Sequence, residues 1–172
     1  MWIGLLWYFN FVSTPTMPKI PEELRPALGR YITPEALFWF RWGAMGTIVF
    51  GIILATMNGY LLEAYTLDAI EGFVDTKIIL IGIGMWLGTI MWFNVWFIIW
   101  PAQKKILGGT ASAEELPVLR RRAYLTSRAN TYLSGPMLFG MLAPNHYAAF
   151  NWPTLDRKST RLNSSHITIS YA

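Results

Sequence analysis

The chain of 172 residues has no cysteine. That excludes a disulfide framework, a thiolate metal site and a covalently attached c-type haem within it. Charge is scarce as well: Asp, Glu, Lys and Arg make up 14% of the residues, against about 25% in an average soluble domain. There are two histidines, His146 and His166, so a site built on several imidazoles is excluded. A nucleotide-binding glycine loop is missing too. Gly82, Gly84 and Gly88 sit inside one uninterrupted apolar run, whereas such a loop needs a strand before it and a helix after it. Gly84 and Gly88 instead form a small-xxx-small step suited to close helix packing. No internal repeat is visible.

What the chain has in quantity is apolar and aromatic surface. Hydrophobic residues make up 53% and aromatics 16%, with nine tryptophans, the residues that gather at bilayer interfaces. The formal net charge of +4 shrinks when the polar ending "LDRKSTRLNSSHITISYA" is set aside. In it Arg157, Lys158 and Arg161 against Asp156 supply +2, leaving +2 for residues 1–155. Those basic residues flank apolar runs rather than lining a soluble face, so no nucleic-acid partner is expected. The ending itself reads as one frame of a DNA adapter ligated in library preparation. Residues 156–172 are therefore expected to be foreign and disordered, taking His166 with them.

Three apolar runs are candidate spans. Residues 78–100, "IILIGIGMWLGTIMWFNVWFIIW", carry no charge, and as a helix they reach about 35 Å, enough for a hydrocarbon core of about 30 Å. Pro101 is expected to end that helix. Residues 36–57 form the second run, with Arg41 as its only charge. The third, 132–150, is weaker, being interrupted by Pro136 and Pro144 and holding Asn145 and His146. The opening "WIGLLWYFNFV" is too short to cross a membrane and reads as the remainder of a longer helix.

Loop charges set the expected orientation. Glu63, Asp68, Glu71 and Asp75 outweigh Lys77 between the second and first of these runs. Lys104, Lys105, Arg120, Arg121, Arg122 and Arg128 outweigh Glu114 and Glu115 after Pro101. Counting Lys and Arg puts 101–128 in the cytoplasm, parity puts 14–35 on the same side, and 58–77 falls outside. The stretch "STPTMPKIPEELRP", residues 13–26, is too proline-rich for a regular helix. "SAEE", from Ser112 to Glu115, resembles a capping box that opens a helix running past "RRR" into the last span, with Pro117 close behind its start. The expected fold is all-α: an integral-membrane antiparallel bundle of three to four transmembrane helices, the first one truncated, over 1–155.

Several polar residues interrupt these apolar runs, and each has two readings. Asn94, deep in a span, needs a partner, either as glue between helices or as a substrate contact. Arg41 snorkels to the headgroups or binds an anion through its guanidinium fork. Arg128, Asn130, Thr131 and Ser134 fall within two turns, with Asn130 and Ser134 on one face, and His146 comes near the far end. Arg128 and His146 either anchor the two ends of the span or serve in a site, since intramembrane ionisable groups are often functional. A single histidine does not complete a bis-imidazole or zinc site, so any second ligand must come from elsewhere.

The segments "MWIGLLWYFNF", "MWLGTIMWFNVWFIIWPAQKKIL" and "SRANTYLSGPMLFGMLAPNHY" resemble the membrane domain of the bacterial urate hydroxylase (urate oxidase N-terminal) family. With the connecting spans, the resemblance covers nearly all of 1–155. It implies a multi-pass protein of the bacterial inner membrane, related to enzymes that oxidise urate to 5-hydroxyisourate and pass electrons to a cytochrome c. Longer members carry that cytochrome as a C-terminal Cys-x-x-Cys-His domain, absent here, with further spans and an upstream histidine in the first helix. The resemblance implies Arg128 and His146 as catalytic residues, and Arg128, Asn130, Thr131 and Asn94 as substrate contacts. His146 would be a haem ligand or proton carrier, and haem the candidate cofactor. Cytochrome c or a second membrane subunit would be the partner, beside the lipid bilayer. The alternative is a non-enzymatic membrane module, an assembly partner or a small-solute permease component.

Overall fold

The computed structural model describes residues 1–70, 72–73 and 75–146. Glu71, the end of the third candidate span beyond His146, and the 156–172 segment with His166 lie outside the described residues. Among those described there is no strand, and they form five helices.

Helix α1 covers residues 2–19: Trp2–Trp7 passes through a π-helical stretch, Tyr8–Ser13, into Thr14–Thr16 and a 3-10 turn at Met17–Lys19. Helix α2 is Arg25–Met57 and helix α4 is Thr76–Leu107. Between them stands the short α3, Leu61–Tyr65. Helix α5, Glu115–His146, is 32 residues long. It opens as "SAEE" suggests, with the Ser112 hydroxyl accepting the Glu115 backbone N–H at 3.2 Å. It runs on past the three arginines without a break.

One helix boundary differs from the expectation. The proline-rich stretch 13–26 is, as expected, no regular helix, falling into short helical turns on either side of the non-helical 20–24, but α4 passes straight through Pro101 to Leu107. Proline within a helix removes a donor and drives its ring at the carbonyl four residues back. The chain answers with wide turns. Tyr8–Ser13 stands just before Pro15, Leu28–Ile32 just before Pro34, and Asn94–Ile99 just before Pro101. A π-helical turn carries the endangered carbonyl away from the ring, so the helix continues.

Neighbouring helices are antiparallel. Along α4 and α5 the contacts pair Gly84 with Met141, Gly88 with Met137 and Asn94 with Asn130. Trp2 meets Gly43 and Phe9 meets Phe40 between α1 and α2. Trp7 and Asn10 of α1 meet Ser134 and Ser127 of α5. Small residues set the α4–α5 spacing: a β-carbon at Gly140 would lie 2.8 Å from the Leu80 carbonyl oxygen and 3.1 Å from the Gly84 nitrogen. Gly84 therefore belongs to the close packing expected of it. Gly88 has room, its nearest neighbour being Met137 at 3.9 Å, and Gly82 instead lies against the Ala64 carbonyl of α3.

The main core joins Trp2 and Leu6 of α1, Leu37, Phe40 and Ala44 of α2, Met91, Val95 and Ile99 of α4, and Met137 of α5. A smaller cluster of Ala55, Ala64, Ile81 and Met85 closes the opposite end. There, Asp75 caps α4 by accepting the Lys77 N–H at 2.8 Å, and the buried Asp68 accepts the Asp75 N–H at 2.7 Å.

Helices α2 and α4 are long and apolar enough to cross a membrane. Only 17% of the most apolar part of α2 and 39% of that of α4 is buried in the molecule. Phe50, Leu54, Phe93 and Phe97 are among the large side chains left facing outward.

Candidate functional site

The polar side chains of the bundle collect on one face of α5 and on what faces it. Ser127, Asn130 and Ser134 follow each other at three- and four-residue spacing, which keeps them on one side of a helix. Asn130 and Ser134 have no solvent exposure. Asn94 of α4 donates its amide to the Asn130 side-chain oxygen at 2.8 Å, and Asn130 in turn donates to the Met91 carbonyl at 3.1 Å. That carbonyl stands just before the wide turn Asn94–Ile99 and also accepts the Asn94 backbone N–H.

Helix α1 closes the other side. The Trp7 indole N–H donates to the Ser134 hydroxyl at 2.9 Å, and the Asn10 amide donates to the Ser127 hydroxyl at 2.8 Å and to its own Leu6 carbonyl at 2.9 Å. The Ser134 hydroxyl donates to the Thr131 carbonyl at 2.7 Å, and the Thr131 hydroxyl donates to the Ser127 carbonyl at 3.0 Å. Buried polar groups must be paired, and this network pairs them across three helices.

Beyond Asn10 and Ser127 the bundle opens into a cavity of about 520 Å³. It is walled by the ends of α1 and α4 and the beginnings of α2 and α5. Asn10, Thr14, Gln103, Tyr124 and Ser127 supply polar groups, Arg25 and Arg120 stand at its mouth, and Phe9, Leu37, Phe40 and Ile99 form the apolar side. A groove past Gly29 and Arg30 leads outward from the same two arginines. Arg25 is occupied, donating to the Ile20 and Pro18 carbonyls at 2.9 and 3.1 Å with Glu22 at 3.6 Å. Arg120 is exposed and has no hydrogen bond or ion pair among the described residues. Segments 14–35 and 101–128 thus meet at one end of the bundle, as a common side for both requires.

The expected site residues do not converge on one point. Asn94 and Asn130 touch each other, and Thr131 is next in the chain. Arg128 points elsewhere: its guanidinium donates to the Tyr124 hydroxyl at 3.1 Å and the Tyr132 hydroxyl at 2.8 Å, on an exposed face. The Tyr132 bond, with Tyr124 beside it, raises its already high pKa, so it stays charged at physiological pH. His146 is exposed at the last turn of α5, sixteen residues and about 24 Å along the axis from Asn130.

The described residues do not by themselves fit a haem. His146 is the one histidine among them, and they contain no group of three His, Cys, Asp or Glu placed to hold a metal.

A comparison with protein-family models matches residues 67–155 to the family described as urate oxidase N-terminal. The chain belongs to the urate oxidase N-terminal family. Neither the curated proteins nor the solved structures contain a match to it. The matched segment carries α4 and α5 of this urate oxidase N-terminal chain, and with them Asn94, Arg128, Asn130, Thr131 and His146. The residues that complete the buried network and the cavity from α1 and α2 lie before it. Sequence reading passed over Asn10, Arg25, Gln103, Arg120 and Ser127. Asn10 had left a signal, a lone amide in "WIGLLWYFNFV"; the others look like ordinary span-end residues until the helices are packed.

Proposed function

We propose that the chain is the membrane-embedded part of a redox protein of urate-hydroxylase type. In this reading a planar purine anion enters the cavity between the ends of α1, α2, α4 and α5. The observation that carries it is the unpaired Arg120 at the mouth of a pocket with amides and hydroxyls on one wall and aromatic and aliphatic carbon on the other. A guanidinium fork suits a delocalised anion, amides suit alternating ring N–H and C=O groups, and Phe9 and Phe40 suit a flat ring face. Membrane insertion is supported by the outward-facing apolar surface of α2 and α4, since helices in the core of a soluble protein hide theirs. Three or four spans, the bacterial inner membrane, and cytoplasmic placement of 14–35 and 101–128 belong to the same proposal.

Within it, Asn94 and Asn130 act as positioning residues, because their amides are spent on one another, and Thr131 supports them through Ser127. Arg128 attracts anions to the mouth from outside. His146 serves near the opposite end as a proton carrier or a ligand completed by another segment, and electrons leave to a cytochrome c. The test is urate absorbance in membranes carrying the protein, with cytochrome c as acceptor. Loss of urate that vanishes in membranes lacking the protein supports the enzyme; no loss from folded, inserted protein overturns it.

One observation favours a second reading, a non-enzymatic membrane module. The Asn94–Asn130–Met91 and Trp7–Ser134–Thr131 chains consume their donors internally, as helix glue does. Urate binding without turnover would select it.

A further inference from the structure

Arg41, the lone charge in the apolar part of α2, lies flat on an indole. Its guanidinium carbon is 3.5 Å from the Trp100 ring centre, 5.3 Å from that of Trp96 and 5.9 Å from that of Trp42. Nε and Nη1 are closed to solvent yet have no acceptor, and the same holds for the Trp96 indole nitrogen. A snorkelling arginine extends its head into water; this one is held back among three tryptophans with donors to spare. Buried donors without partners are unfavourable, and no carboxylate among the described residues relieves them. Glu35, the one acid in α2, stands six residues away and accepts the Trp39 indole N–H at 2.9 Å, and α4 contains no acid.

Lys104 follows Trp100 by one turn on the same face of α4 and adds a second positive charge. The wide turn Asn94–Ile99 falls between α4's regular part and Trp100, so both indoles reach Arg41. Outside the cage the surface is aromatic: Trp39, Trp42, Phe93 and Phe97 are exposed, and the rings of Phe93 and Phe97 stack at 4.7 Å. A braced fork with free N–H groups, a nearby ammonium and an adjoining apolar face match an oxyanion attached to hydrocarbon.

We propose that Arg41, Trp96 and Trp100 form a binding site for a phosphate group, that of an anionic phospholipid headgroup whose acyl chains lie along Phe93 and Phe97. Arg41 donates to a phosphate oxygen through Nη2, the guanidinium nitrogen that is not closed to solvent, Trp100 holds the guanidinium plane, and Lys104 supplies further attraction.

The full chain is tested in lipid nanodiscs, after flotation of the membranes has established insertion, so that failure of the membrane reading is seen separately. Discs of phosphatidylcholine receive increasing phosphatidylglycerol, and retained lipid is counted by native mass spectrometry. The expected result is preferential retention of phosphatidylglycerol, reduced about tenfold by Arg41→Gln and less by Arg41→Lys, which keeps the charge but loses the fork. Lys105→Gln, which removes one charge away from the cage, should change it little. A second arm adds inorganic phosphate to phosphatidylcholine discs and follows tryptophan fluorescence. A saturable, Arg41-dependent change without lipid preference keeps the site and makes its ligand a soluble phosphate. If Arg41→Gln does not insert, Trp100→Leu replaces it, with the same loss expected. Retention and fluorescence unaltered by these variants, or lost equally in Lys105→Gln, overturn the proposal.

Discussion

Asn94 of α4, half-buried, donates to the fully buried Asn130 of α5 across 2.8 Å. That bond, extended to the Met91 carbonyl, decides which faces of the two longest-paired helices meet. Asn130→Ala removes it and orphans Asn94 as well, and should destabilise the fold by about 2 kcal/mol, whereas Asn94→Ala should cost about 1 kcal/mol. The double variant should lose less than the sum of the two. Thermal unfolding in detergent measures all three, and strict additivity would mean the two amides do not act together.

Close approach of α4 and α5 rests on missing side chains. Gly140→Ala puts a methyl group 2.8 Å from the Leu80 carbonyl oxygen and should cost about 1–3 kcal/mol. Gly135→Ala, on the same helix with nothing within 4 Å, should be neutral or slightly stabilising. Equal melting temperatures for the two variants would show that the crossing is looser than described.

The start of α4 depends on one carboxylate. Asp75 accepts the Lys77 N–H at 2.8 Å, and Asp75→Ala should cost about 1 kcal/mol, with Asp75→Asn recovering most of it. Hydrogen exchange of the first turn of α4 should quicken in the alanine variant alone.

Arg120 and Arg128 should part company in kinetics. If the cavity takes a purine anion, Arg120→Gln should raise KM for urate about tenfold with little change in kcat, the pattern of a lost binding contact. Arg128→Gln, whose partner hydroxyls lie on an exposed face, should move KM by much less and mainly through ionic strength. A larger effect at Arg128 would place the substrate on the tyrosine side of α5.

Pro101 tests the account of the wide turns. Pro101→Ala restores a donor and removes the ring, so Asn94–Ile99 should tighten toward a regular helix. That would rotate Trp100 away from Arg41 by a sizeable part of a turn. Tryptophan emission should shift in the variant, and a spectrum like the parent's would mean that proline does not hold the turn open.

Much of this was legible in the chain. Long apolar runs with one charge or none announce helices, because only intrachain pairing satisfies a backbone placed among hydrocarbon side chains. The "SAEE" start of α5 was legible because capping is a local matter, as was Asn94's need of a partner. The broken course of residues 13–26 was legible in its prolines, whereas the passage of α4 through Pro101 was not, because it depends on the widened turn before that proline. Arg128 lies two positions from Asn130, and side chains two apart on a helix point about 200° away from each other, so nearness in sequence did not show that the two leave α5 on different sides.

By itself, then, the sequence determined helicity, the approximate ends of the apolar segments, the charge difference between the two ends, and the family to which the chain belongs. All of these follow from short-range pattern or from residue identity in order. Tertiary structure alone decided that Asn130 faces Asn94, that Asn10 and Trp7 reach back from α1 to the serines of α5, and that three tryptophans from two helices enclose Arg41. Apart from the neighbouring Arg41 and Trp42, those contacts join residues 36 to 127 positions apart, wherever rotation, crossing and wide turns happen to bring the helix faces together, and no local pattern encodes such a rotation.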